Sequence, residues 1–165
     1  MAKTKEIQDI LTVWQEVRWN TTEFINSLGN EGLKKELPRG GLNTFCKHFQ
    51  EMLDVQSVYL NAIKTGEMHF EEMAEAYEGD ETAETLLKRI EDLEREFTEA
   101  INSAPENLKI KWAEDDEKSL AYTISNLNVH EIFHIGQLIA FCYATKTQLP
   151  QSLVDSWFLT PLDEE

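Results

Sequence analysis

A chain of 165 residues and 19.1 kDa can bury a core in one domain without a disulfide or a structural metal. Its composition, 41% apolar and 28% charged with 7 Gly and 4 Pro, is globular rather than disordered or collagenous. Thirty-one carboxylates against 15 basic residues leave a net charge of −16. That surface repels phosphate backbones and anionic lipid, so neither nucleic acid nor a membrane is an expected partner.

Residues 1–6 are polar where a secretory signal would be apolar, and no run approaches about 18 apolar residues. Cys46 and Cys142 form no metal-binding or redox spacing and read as small buried side chains. A cytoplasmic, single-domain chain over residues 1–165 is the expectation.

Four stretches carry helical periodicity. The first, about 4–28, places Ile7, Ile10, Trp14, Val17, Thr21, Phe24 and Leu28 on one stripe, with Gly29 at its stop. Residues 29–43, rich in Gly and containing Pro38, read as a loop. The second helix starts after a cap at Asn43 or Thr44 and runs to Thr65, where Gly66 ends it. Its stripe is Phe45, Phe49, Met52, Val55, Tyr59 and Ile63, and His48 lies within it.

An acidic connection, 67–81, reads as a solvated face with His69 on the surface. The third helix spans about 82–103 and is closed by Pro105. Residues 108–112 alternate apolar and polar, as a short extended segment does. The fourth helix is expected from about 117 or 118 to 146, and from Val129 to Tyr143 it is apolar on almost every side. Such a helix should be buried all round, in the bundle centre and under a second covering surface such as a partner subunit. After Pro150, Leu153, Trp157, Phe158 and Leu159 are expected to fold back over the bundle. The economical architecture is all-α, a four-helix bundle of the up-and-down type with a short extended segment before the last long helix.

The chemistry concentrates in His130-Glu131-Ile132-Phe133-His134. Histidines at i and i+4 project about 40° apart from one helix face, close enough to share a metal. With His48 on a facing helix they form a three-imidazole set that leaves a coordination position open, the arrangement of a catalytic site. Buried imidazoles without partners would each cost roughly 1–3 kcal/mol, which argues against simple packing.

The same segment reads H-E-x-x-H, the zinc-peptidase signature, with Glu131 as general base. The remainder of the chain fits that poorly. Gln137 and Ala140 stand where one peptidase class needs Gly and His, and little strand is available to hold an extended substrate.

Phe45-Cys46-Lys47-His48, together with His130 to Leu138 including Gly136-Gln137-Leu138, resembles the DinB/YfiT-like family of metalloenzymes, the DinB superfamily. Pro150 takes the place of a later proline in that pattern, and Ile135 stands where many members have a basic residue. The resemblance implies a four-helix bundle, often dimeric. It also implies a divalent ion, commonly nickel or zinc, held by His48, His130 and His134. Some relatives act with bacillithiol or mycothiol, so a low-molecular-weight thiol is an implied co-substrate.

Three readings stand. The first is a metal-dependent enzyme on a small molecule, a hydrolase or thiol transferase, with Glu131 and Gln137 as candidate catalytic or substrate-orienting groups. The second is a non-enzymatic metal-binding or interaction bundle, a homodimer through the last long helix. The third is the zinc peptidase.

Overall fold

The computed structural model describes residues 3–162. Its principal helices are α1 (Lys5–Leu33), α2 (Phe45–Thr65), α3 (Ala83–Ser103) and α4 (Leu120–Thr145), with a short terminal helix α5 (Gln151–Trp157). A hydroxyl caps each long helix. Thr4, Thr44, Thr82 and Ser119 accept from the backbone N–H of Ile7, Lys47, Thr85 and Tyr122, each satisfying an orphan donor of the first turn. Thr44, rather than Asn43, is thus the cap of α2. Gly66 ends that helix in the left-handed conformation at φ 85°.

The fold is the all-α bundle expected, and the direction of its helices is legible from two hydrophobic clusters. One gathers the end of α1 (Phe24, Ile25), the starts of α2 (Phe45, Phe49) and α3 (Leu86, Ile90), and the end of α4 (Leu138, Cys142). The other gathers the start of α1 (Ile7, Trp14), the ends of α2 (Tyr59, Ile63) and α3 (Phe97, Ile101), and the start of α4 (Ile124, Leu127). The order is therefore up-down-down-up, with α2 and α3 parallel, and strict alternation gives way at one connection. Each of α1 and α2 packs against both α3 and α4.

Residues 66–82 supply that connection by running back along α2. Asp54 accepts from the Ala74 N–H at 2.9 Å, Gln50 from the Gly79 N–H at 3.0 Å, and the Glu81 carbonyl from the Cys46 thiol at 3.5 Å. A 3₁₀ turn at Phe70–Glu72 interrupts it.

Several boundaries differ from the sequence reading. The extended segment before α4 is β1 (Lys109–Ala113), and it pairs antiparallel with β2 (Asp116–Ser119), which periodicity assigns to the start of the helix. The charged run Asp116-Glu117-Lys118 carries no apolar residue to mark the change. Gly29 does break α1, at φ 56° and ψ −173°, but helical geometry resumes for residues 30–33.

Burial of α4 is one-sided. Val129, Ile132 and Phe133 reach the surface, Phe133 with 67% of its area exposed, so the helix is not covered all round within one chain. In the C-terminal segment Leu153 is fully buried, and the Trp157 indole donates to Asn20 Oδ1 at 3.1 Å. Phe158, 94% exposed, does not pack back as expected, because it stops α5 in the left-handed conformation with its ring outward. No helix among the described residues is long and apolar enough to cross a membrane.

Two glycines make a paired test of these backbone assignments. Gly29 sits at positive φ, whereas Gly136 lies inside α4 with open space where a Cβ would stand. Gly29→Ala should lower the unfolding free energy by about 1–2 kcal/mol, and Gly136→Ala should raise it by about 0.5–1 kcal/mol. Urea denaturation midpoints at constant slope measure both.

Candidate metal centre

The first turns of α2 and the middle of α4 face one another and carry the site. His48 lies one turn inside the Thr44 cap, and Glu51 lies three residues on, so both project from the same side of α2. His130 and His134 project from α4 with ring centroids 4.6 Å apart. His48 is fully buried, His134 nearly so, and the His130 side chain keeps 26% of its surface, which makes it the solvent edge of the cluster.

Glu51 ties the α4 pair together. Its two carboxylate oxygens lie 3.3 Å from His130 Nε2 and 2.8 Å from His134 Nε2. His48 reaches the opposite edge of His134, with Nδ1 facing Nδ1 at 3.0 Å. Phe141 packs against the His48 ring at 5.7 Å between centroids.

The proton pattern follows from these contacts. His130 Nε2 is within hydrogen-bond reach of Glu51 Oε1, and one of the facing Nδ1 atoms of His48 and His134 donates to the other. His48 Nε2, His130 Nδ1 and Glu51 Oε2 are buried and have no hydrogen-bond partner. Each such group costs roughly 1–3 kcal/mol. Imidazole lone pairs beside a carboxylate are the donor chemistry of a divalent-cation site.

Electrostatics favour neutral His48 and ionised Glu51. Burial, then the neighbouring His134, then the charge of Arg39 push the His48 imidazole down to about 4, against the pull of Glu51 and the Leu42 carbonyl. Burial pushes the Glu51 carboxyl up, but the hydrogen bonds and charges of His130 and His134 outweigh it and hold the group at about 2.

The three expected histidines therefore meet. The tightest candidate ligand group nonetheless differs from the expected one: Glu51, His130 and His134 place one ligand atom each within 4.8 Å of one another. His48 stands outside that group because the two edges of the His134 ring face in opposite directions, one to His48 and one to Glu51. A search of the sequence for histidines passes over Glu51, although its i, i+3 spacing from His48 is in plain view.

Glu131 and Gln137 stand outside that ligand group. Glu131 is fully buried on the α1 side, where it accepts from the Thr21 hydroxyl and pairs with Arg18 Nη1 at 3.1 Å. Arg18 also pairs with Glu94 at 3.3 Å and donates to Gln56 at 2.8 Å, while its guanidinium lies over Trp14 at 4.6 Å. Burial raises the Glu94 carboxyl, and Arg18 pulls it back down. Both contacts are made by Glu131 Oε1, and Oε2 is buried without a hydrogen-bond partner. Gln137 is half-buried, one turn beyond His134, and accepts from Arg39 Nη1 at 2.8 Å.

His69 and the two cysteines stand outside that ligand group. His69 sits between Glu67 and Glu71 in the acidic connection, and both cysteines are free and buried, with burial pushing the Cys142 thiol up to about 12.

The sequence profile of the DinB superfamily matches residues 9–138, a span that contains His48, Glu51, His130 and His134. The chain belongs to the DinB superfamily. No curated protein matches it. As a DinB-superfamily bundle it brings to the α2–α4 interface a His/Glu group able to hold a metal ion.

Two outcomes test this division of α4 into a ligating face and a locking face. Glu131→Ala strands the buried Arg18 and should cost about 3–5 kcal/mol of stability while leaving the metal content of the folded fraction unchanged. Calorimetry and elemental analysis read the two quantities separately. For the metal-free protein, a His48 folded-state pKa below its unfolded value means that the unfolded chain binds the proton first. Stability should therefore fall by up to ~3 kcal/mol as pH drops from about 6.5 to 4. Denaturant midpoints in chelator should show that slope, and His48→Gln should flatten it.

Proposed function

We propose that this DinB-superfamily protein is a metal-dependent enzyme acting on a small molecule, as a hydrolase or a thiol-dependent transferase. The observation that carries the reading is the convergence of Glu51 with His130 and His134, with His48 in contact and two imidazole nitrogens buried without partners. Glu51, His130 and His134 would hold the ion, and His48 is the fourth candidate ligand. Nickel and zinc both suit imidazole and carboxylate donors. A bound ion supplies Lewis acidity and lowers the pKa of a group brought against it.

The chain's own residues account for the rest. The Glu51 carboxylate would offset the charge of the cation, and the Nε2 atoms of both α4 imidazoles face it. Phe141 and the buried rings exclude water from the α2 side, while His130 leaves the outer edge open to an incoming small molecule. A low-molecular-weight thiol is the co-substrate in the transferase version. The peptidase reading is disfavoured because Glu131 is fully buried and its Oε1 is held by Arg18 and Thr21.

A second reading rests on α4. Its outward stripe, Val129, Ile132, Phe133, Gly136, Gln137 and Ala140, lines an open groove of about 530 Å³. An apolar stripe of this kind supports a homodimer through the last long helix, with the ion in a structural or sensing role.

Elemental analysis of untagged protein tests the site. Wild type should carry close to one divalent ion per chain, and His130→Ala and Glu51→Ala should each retain less than about a tenth of it. Equal stoichiometry in all three proteins would remove the proposed centre.

A further inference from the structure

The chain has four arginines, and three of them are matched to carboxylates. Arg18 pairs with Glu94 and Glu131, Arg89 with Glu81 at 2.7 Å, and Arg95 with Asp92 at 3.0 Å. Arg39 has no carboxylate partner among the described residues, although carboxylates outnumber basic groups 31 to 15 in the chain. It is exposed, and neutral groups fix it: Nη1 donates to Gln137 Oε1 at 2.8 Å, and Nε to the Gly40 carbonyl at 3.1 Å.

Both helices of the candidate site contribute to that placement. Gln137 follows His134 by three residues, so the two side chains are neighbours on α4, about 5–6 Å apart at Cβ. The loop bearing Arg39 leads directly into the first turn of α2, where His48 lies. It is braced by the Leu37 N–H donating to the Asn43 carbonyl at 2.9 Å and by the bridge between Glu36 and Thr44. Two of the five Arg39 N–H groups are engaged, which leaves the Nη2 edge free.

From this placement we infer that Arg39 is a substrate-recognition residue of the candidate metal centre, binding the carboxylate of a small anionic substrate whose other end reaches the cluster. The inference rests on the metal-binding reading above. A single guanidinium fork matches one carboxylate in charge and geometry. It also reverses locally the repulsion that a chain of charge −16 exerts on any anion. Gln137 then acts as a positioning residue, holding the fork on the side of α4 that carries His134.

Ligand titration of the metal-loaded protein tests this, with benzoate and its neutral analogue benzamide as probes and metal content measured on the same samples. Wild type should bind benzoate about tenfold tighter than benzamide. Arg39→Gln should bring the two to near parity with metal content unchanged, and Arg39→Lys should keep part of the preference. A benzoate preference that survives intact in Arg39→Gln would place the carboxylate on the metal rather than on Arg39 and overturn the inference. Full metal content with no preference in wild type would overturn it alone, whereas protein that takes up no metal overturns it together with the proposed function.

Discussion

Everything in the bundle's interior turns on α4 being polar on two buried faces at once. His130 and His134 meet α2, and Glu131, one residue along and about 100° around the helix, meets α1. A rotation of α4 by a single residue would withdraw Glu131 from Arg18 and swing the imidazoles away from Glu51 together. Buried charges that lose a partner are far more costly than misplaced apolar groups, so the ion pair fixes the rotation that apolar packing alone leaves loose. The Arg18 cluster is, in this sense, the counterweight of the histidine cluster.

The direction of the helices decides where the site falls. Because α2 and α3 run parallel, the start of α2 lies beside the later half of α4, at the end of the bundle where α1 also finishes. The chain between α1 and α2 therefore crosses the mouth of the site and brings its own side chains with it. The cost is a long return segment, 66–82, held through Asp54, Gln50 and the Glu81 carbonyl and by Met68, Met73 and Phe70 packing near the end of α2.

Much of this is legible in sequence. The cap before α2, the stop at Gly66, the break at Gly29 and the apolar stripes of α1, α2 and α3 follow from local rules that the tertiary structure does not overrule. The histidines stand out because imidazole on an apolar stripe is conspicuous. Glu51 does not, since in a chain with 31 acidic residues one more carboxylate on a helix carries no signal until its partners are known. The same background hides Glu131: a carboxylate next to a metal-ligand histidine matches a catalytic motif, and only the position of Arg18, more than a hundred residues earlier, shows where it goes. Helix direction is out of reach for a related reason, because periodicity reports which face is apolar and nothing about which neighbour covers it.

Ile135 shows how the packing and the chemistry constrain each other. Many relatives resembling this chain carry a basic residue after the second histidine, and here that position is buried in the apolar cluster with Leu138 and Cys142. A lysine or arginine at 135 would have to thread its charge out past those side chains or leave it unpaired in the core, at a cost of several kcal/mol. Isoleucine removes the difficulty and closes the core directly behind His134. It also means that α4 supplies no cation of its own beside the cluster. The cation held beside α4 is then the one on the α1–α2 loop, carried by a residue that hydrogen-bonds Gln137 rather than packing in the core.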